Sequence, residues 1–253
     1  MTAPLLEVRG VSRWFGGFAA LADVSLSVEP RVPTALIGPN GAGKTTLYNV
    51  ISGRFPPSRG QVFLDGRDVT GTPARRRVGM GLARSFQITN VFPSLTVREN
   101  VLVPLVLEAR RGRRFLRGLG RERDLARRAD ETLEEVGLLA EAGRVAATLS
   151  YGDRRLVEMA IVLARRPRLV LLDEPTAGMN PEETDRMIAL VRKLAERFGT
   201  TFFVTEHDMR VVFGLAHRIF VLHQGSLLAA GTPDEIRQDP RVREAYLGAS
   251  ADG

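Results

Sequence analysis

The alternation of apolar and polar positions divides this chain into short strands and amphipathic helices. Residues 5–9 and 25–28 read as strands with turn residues between them, and 35–37 as a buried strand. A helix follows over 43–52, and 61–64 with Asp65-Gly66 looks like one arm of a hairpin. From about 88 to 149 the pattern turns helical, with long polar faces and few strand signals. The strand–helix alternation then resumes. Helices are expected at 153–164 and 181–198, a fully apolar strand at 169–172, and a β-rich strand at 200–205. A final hairpin spans 219–222 and 226–229, after which Thr232-Pro233-Asp234-Glu235 carries a capping box with proline at the first helical position. Such alternation predicts an α/β fold with a mostly parallel sheet covered by helices, interrupted by the helical stretch.

Composition narrows the chemistry. The 253 residues suffice for a full core or a core with a subdomain. The absence of cysteine excludes disulfides and thiolate metal sites, and His207, His217 and His223 are too scattered for a zinc site. The opening MTAPLLEVRG lacks the layout of a signal peptide, and no apolar run approaches the length that spans a bilayer. A net charge of +7 suits nucleic acid or an anionic membrane surface and does not choose between them. Nine arginines lie within 110–128; a solvated helix face, lipid headgroups or an acidic partner would each accommodate them. Lysine is almost absent: of 36 basic residues, only Lys44 and Lys193 are lysines.

The stretch GPNGAGKTTL at 38–47 shows why one lysine was kept. Gly38, Gly43, Lys44 and Thr45 satisfy G-x-x-x-x-G-K-[ST], the phosphate-binding loop. Glycines let consecutive backbone N–H groups turn inward as a nest for an anion, and the helix opening near Gly43 points its positive end at the same place. The expected nucleotide contacts are therefore Gly38, Pro39, Asn40, Gly41, Ala42, Gly43, Lys44, Thr45 and Thr46. Lys44 reaches the β- and γ-phosphates, where a slim ammonium fits and a planar fork does not. The Thr45 hydroxyl ligates Mg²⁺.

A second decisive stretch is Arg168-Leu-Val-Leu-Leu-Asp173-Glu174. A strand this apolar is buried on both faces, so its carboxylates emerge at the carboxyl end, where ligands bind in open α/β sheets. Asp173 is the expected metal ligand, and Glu174 the base that deprotonates the attacking water. One acid for metal and one for water points to a hydrolase.

Other stations follow in order: Arg84-Ser-Phe-Gln87, Leu149-Ser150-Tyr151-Gly152-Asp153, Ala177-Gly178-Met179-Asn180, and His207 after the 200–205 strand. With the phosphate loop they resemble the nucleotide-binding subunit of an ATP-binding cassette (ABC) transporter, from Leu6 to about Gly248. The resemblance implies a P-loop ATPase core at 1–87 and 151–253, with an antiparallel β subdomain, and an inserted α-helical subdomain at 88–150. It implies that Phe15 stacks on adenine and that Gln87 touches Mg²⁺ and the water. It also implies that His207 hydrogen-bonds the γ-phosphate. Ser150, Tyr151, Gly152 and Asp153 form the signature that meets ATP held by a second ABC ATPase subunit, a different sister chain in a heterodimer or a second copy in a homodimer.

The same resemblance implies ATP and Mg²⁺ as cofactors and transmembrane permease subunits as partners. It adds an indirect link to a periplasmic or extracellular binding protein, and a peripheral place on the cytoplasmic face of the inner membrane. No nucleic acid is expected, since the coiled coils or zinc modules of nucleic-acid cassettes are missing. Three stretches resemble the branched-chain amino acid importers in particular: 84–100, the tyrosine-bearing signature with 177–181, and the ending 239–248. Lipopolysaccharide-export and urea-import ATPases look similar. Val91, Phe92, Leu95 and Val97 would be buried in the helical subdomain or line a groove for a permease helix.

Two departures stand out. The commonest family signature has glycine and glutamine where this chain has Tyr151 and Asp153. The segment Pro30-Arg31-Val32-Pro33 is less glycine-like than usual.

Overall fold

A computed structural model of the protein describes residues 3–85, 91–111 and 118–248. The chain opens with a hairpin of β1 (Leu6–Phe15) and β2 (Phe18–Val28), followed by β3 (Thr34–Ile37) and helix α1 (Lys44–Ile51). Next come β4 (Arg59–Leu64), β5 (Arg67–Asp68), α2 (Ala74–Gly79) and β6 (Leu82–Arg84). Helices α3 (Val97–Arg111), α4 (Gly118–Glu135) and α5 (Tyr151–Leu163) precede β7 (Leu169–Asp173) and α6 (Pro181–Phe198). The remainder is β8 (Thr201–Thr205), α7 (Met209–Leu215), β9 (Arg218–His223), β10 (Ser226–Gly231), α8 (Pro233–Gln238) and α9 (Pro240–Gly248).

By its contacts the chain divides into two compact units. The first comprises Met1–Arg84, Arg168–Glu174 and Val191–Gly253. Its antiparallel sheet runs β2-β1-β4-β5, and its second sheet runs β10-β9-β3-β8-β7-β6. In that second sheet β9, β3, β8, β7 and β6 are parallel, while β10 pairs antiparallel with β9. Every residue of β3, β7 and β8 is buried, which explains why their sequences are mostly apolar and do not alternate. β1 and β2 are much longer than their sequence pattern suggests. Gly10 adopts φ 58° and the β1–β2 register slips between Val8 and Val11, so the two-residue period is broken mid-strand. Three-residue β6 is recognisable only through its pairing with β7.

The unusual segment before β3 has a local explanation. Arg31 sits in the left-handed region at φ 65°, a conformation glycine adopts without strain, and its N–H donates to Thr201 Oγ1 at 2.9 Å. The capping box ahead of α8 forms as the sequence predicts, with Thr232 N–H donating to Glu235 Oε2 at 2.7 Å.

The second unit comprises Ser85–Pro167 and Pro175–Leu190. Val97, Val101 and Leu105 lie one turn apart on α3 and are fully buried, as are Ala129 and Leu133 on α4. Helix α5 packs against both α3 and α4. The sequence pattern places the helical insertion at 88–150; the packing carries α5 into the same unit. The apolar cluster at 91–97 is divided: Val97 is fully buried, while Phe92 is exposed. Asn100, itself buried, accepts from Phe92 N–H at 2.7 Å and donates to the Phe92 and Thr96 carbonyls, which fixes the loop and leaves the phenyl ring outside.

Candidate nucleotide site

The phosphate loop joins β3 to α1 across residues 38–43. Gly38 and Gly43 answer to close packing as well as to chirality. A Cβ on Gly38 would collide with the Leu222 carbonyl of β9, and one on Gly43, at φ 103°, would lie 2.6 Å from the Ala20 carbonyl of β2. Gly43 caps α1 with no side chain, and the first turn holds no acidic residue, so the helix amides keep their capacity for an anion. Lys44 curls back into the loop, its Nζ donating to the carbonyls of Gly38 at 2.6 Å and Pro39 at 3.1 Å. Burial lowers its pKa, opposed by the charges of Glu174 and Asp173. Thr45 is exposed and Thr46 half-buried.

The far end of α1 is held by a residue that the motif reading passed over. Arg77 is almost fully buried and donates to the Val50 and Ile51 carbonyls at 2.8 and 2.6 Å. It also donates to the carbonyls of Thr72, Val69 and Thr70. Desolvation pushes its pKa down to about 10, which leaves it cationic at neutral pH against the negative end of the phosphate-loop helix.

Asp173 and Glu174 stand at the carboxyl end of β7, yet their surroundings differ. Asp173 Oδ1 accepts from Thr205 Oγ1 at 2.7 Å, and Oδ2 from Arg84 Nη2 at 3.1 Å. Arg84 also donates from Nη1 to Asn49 Oδ1 of α1 at 2.7 Å. Glu174 turns away in the left-handed region at φ 48°, its N–H donating to the Thr205 carbonyl at 3.0 Å. That turn presents its carboxylate to His207, whose Nδ1 lies 3.7 Å from Glu174 Oε1. The His207 side chain is 63% exposed and so is open to a ligand. Lys44, Asp173, Glu174 and His207 are thus gathered at one end of the parallel sheet.

Phe15, at the tip of β1, is half exposed and meets Phe55 edge-on at 5.6 Å. The Arg13 guanidinium lies 4.8 Å from the Phe15 ring centre and 4.9 Å from that of Phe55. Neither Phe55 nor Arg13 carries a motif that would have marked it. Gln87 lies outside the described residues.

The signature belongs to the second unit. Ser150 is the N-cap of α5: its Oγ accepts from Asp153 N–H at 3.1 Å and donates to Asp153 Oδ2 at 2.8 Å. Gly152 faces Glu183, whose carboxylate would lie 2.5 Å from a Cβ placed there. Tyr151 turns its hydroxyl to the Ala177 carbonyl at 2.9 Å.

This geometry has close relatives. A family model described as ABC transporter matches residues 21–177. The branched-chain amino acid transport ATP-binding protein BraF of Pseudomonas aeruginosa is 42% identical, covering 98% of this chain and 99% of that protein. The chain belongs to the ABC transporter ATP-binding family. It is an ATP-binding subunit that hydrolyses ATP.

A further model, described as branched-chain amino acid ATP-binding cassette transporter, matches residues 226–252 of this ABC subunit. The LivG protein of Escherichia coli, named for the same transport, is 40% identical over 98% of the chain and 99% of its own length. The lipopolysaccharide export ATP-binding protein LptB of Acidithiobacillus ferridurans is 38% identical over 96% of the chain and 97% of its own. Among solved structures, the ADP conformation of the cassette MJ1267 superposes with a TM-score of 0.87 at 29% identity, covering 98% of this chain and 100% of that one. Among the described residues, no helix is long and apolar enough to cross a membrane.

Proposed function

We propose that this ABC subunit hydrolyses ATP with magnesium to power the import of branched-chain amino acids through membrane permeases. The observation that carries the catalytic part is the 3.7 Å approach of His207 to Glu174 at the sheet end that also holds Lys44. The amino acid assignment is supported by the match over 226–252 and by the BraF and LivG relatives.

In this reading Phe15 stacks on adenine, and the backbone amides of 38–46 with the Lys44 ammonium hold the phosphates. Glu174 takes a proton from water as the water oxygen bonds the γ-phosphorus and the bond to ADP breaks. His207 donates to the γ-phosphate, oriented by Glu174. The donor set fits magnesium: one buried carboxylate, Asp173, and one exposed hydroxyl, Thr45, are hard oxygen ligands that would hold it. When bound, it neutralises charge on the phosphate oxygens. Gln87 would add a further contact to it. Ser150 and Gly152 serve the ATP of a second ABC ATPase subunit, a sister chain in a heterodimer. The pair docks peripherally on permeases at the cytoplasmic face of the inner membrane, and an external binding protein acts only through those permeases.

The likeness to LptB favours one competing reading, lipopolysaccharide export. Reconstitution of the full chain with its permeases, sister ATPase and binding protein in proteoliposomes separates the two. ATP-driven leucine uptake, abolished by Glu174→Gln, is the expected result. Glu174→Gln should lower turnover by about 10²-fold, the scale of a general base, while ATP stays bound. No leucine uptake together with ATP-driven lipopolysaccharide release would transfer the assignment to export.

A further inference from the structure

The tyrosine in the signature makes contacts that the glycine commonest at that position could not make. Its hydroxyl donates to the Ala177 carbonyl at 2.9 Å and accepts from Arg155 Nη2 at 3.0 Å. The direction of both bonds is fixed, because a guanidinium has no acceptor and a carbonyl has no proton to give. Arg155 is itself held from behind. Its Nη1 donates to Glu158 Oε2 at 2.9 Å, and both side chains are largely buried. Its guanidinium carbon also lies 5.4 Å from the Tyr151 ring centre.

The receiving side is shaped to match. Ala177 and Gly178 belong to a tight turn in which Met179 N–H donates to the Thr176 carbonyl at 3.1 Å. Gly178 has φ 77°, and a Cβ there would come 3.0 Å from the Tyr151 hydroxyl. A small residue in a left-handed conformation therefore lies directly beneath the phenol. The run Glu158–Arg155–Tyr151–Ala177 is continuous and lies wholly within the second unit.

We propose that Tyr151 is a positioning residue that straps the first turn of α5, which carries Ser150, to the turn at 176–179 that follows Glu174 in the chain. The strap makes the signature and that turn one rigid element, so Ser150 is presented in a fixed orientation. This inference rests on the role proposed above for Ser150.

The test uses Tyr151→Phe, which keeps the ring and removes only the hydroxyl. Amide hydrogen exchange on the full chain should show 176–180 exchanging about five- to tenfold faster, the scale of one or two lost hydrogen bonds, with α3 and α4 unchanged. ATPase kcat should fall about fivefold while KM for ATP moves less than twofold. Unchanged exchange at 176–180, or faster exchange spread evenly through the unit, would overturn the strap. A wild-type chain with no ATPase even with its sister subunit would instead sink the function proposed above, and the exchange measurement would still decide the strap.

Discussion

Arg84 and Asp173 form an ion pair at 3.1 Å with only 7% of each side chain exposed, joining residues 89 positions apart. The pair ties the expected metal ligand on β7 to β6 and, through Asn49, to the phosphate-loop helix α1. Removing one partner of a buried pair leaves an uncompensated charge, at a cost of about 3–5 kcal/mol. Arg84→Gln is expected to lower the unfolding free energy by about 3 kcal/mol in a urea titration. The double variant Arg84→Gln, Asp173→Asn should recover part of that loss, because the stranded charge is gone. A single variant as stable as the wild type would show that the pair contributes little.

Lys44→Arg tests whether the loop needs a slim cation. The ammonium enters the loop to within 2.6 Å of the Gly38 carbonyl, and that glycine is pinned against β9. A planar fork cannot follow the same path, although the charge is conserved. Fluorescent-nucleotide titration should show binding weakened by at least about tenfold, which is about 1.4 kcal/mol. Wild-type affinity would contradict the geometric argument.

Asp153→Gln addresses the second departure from the usual signature. The Asp153 carboxylate accepts a hydrogen bond from the Ser150 hydroxyl at 2.8 Å and places a negative charge at the start of α5. A charge there competes with an incoming phosphate, at about 0.3–1 kcal/mol. The variant should raise ATPase activity about two- to fivefold at limiting subunit concentration, in a titration with the sister ATPase. A fall in activity would mean that Asp153 assists phosphate binding.

Phe92→Asp probes the exposed ring held out by Asn100. Because the ring contributes little to the core, the purified variant should melt within a few degrees of the wild type. Surface changes of this kind stay near ±0.5 kcal/mol. Transport in proteoliposomes should fall severely while the soluble ATPase persists, as expected if the ring seats a permease helix. Unchanged co-purification with the permeases together with full transport would refute that role.

The sequence by itself determined what depends on near neighbours. The phosphate loop, the capping box of α8, the apolar runs of β3, β7 and β8, and the acidic pair were all legible because turn chemistry and periodicity act over a few residues. Even Arg31 was marked, as an anomaly ahead of β3, though its left-handed backbone was not visible. The tertiary structure decided everything that depends on strand order and distant pairing. Parallel neighbours β7 and β8 bring Glu174 beside His207, and β6 beside β7 brings Arg84 to Asp173. Helix packing assigned α5 to the second unit, and the turn at 176–179 gave the Tyr151 hydroxyl its acceptor. No local pattern encodes such contacts, because the partners are far apart in the chain and meet only once each unit has folded.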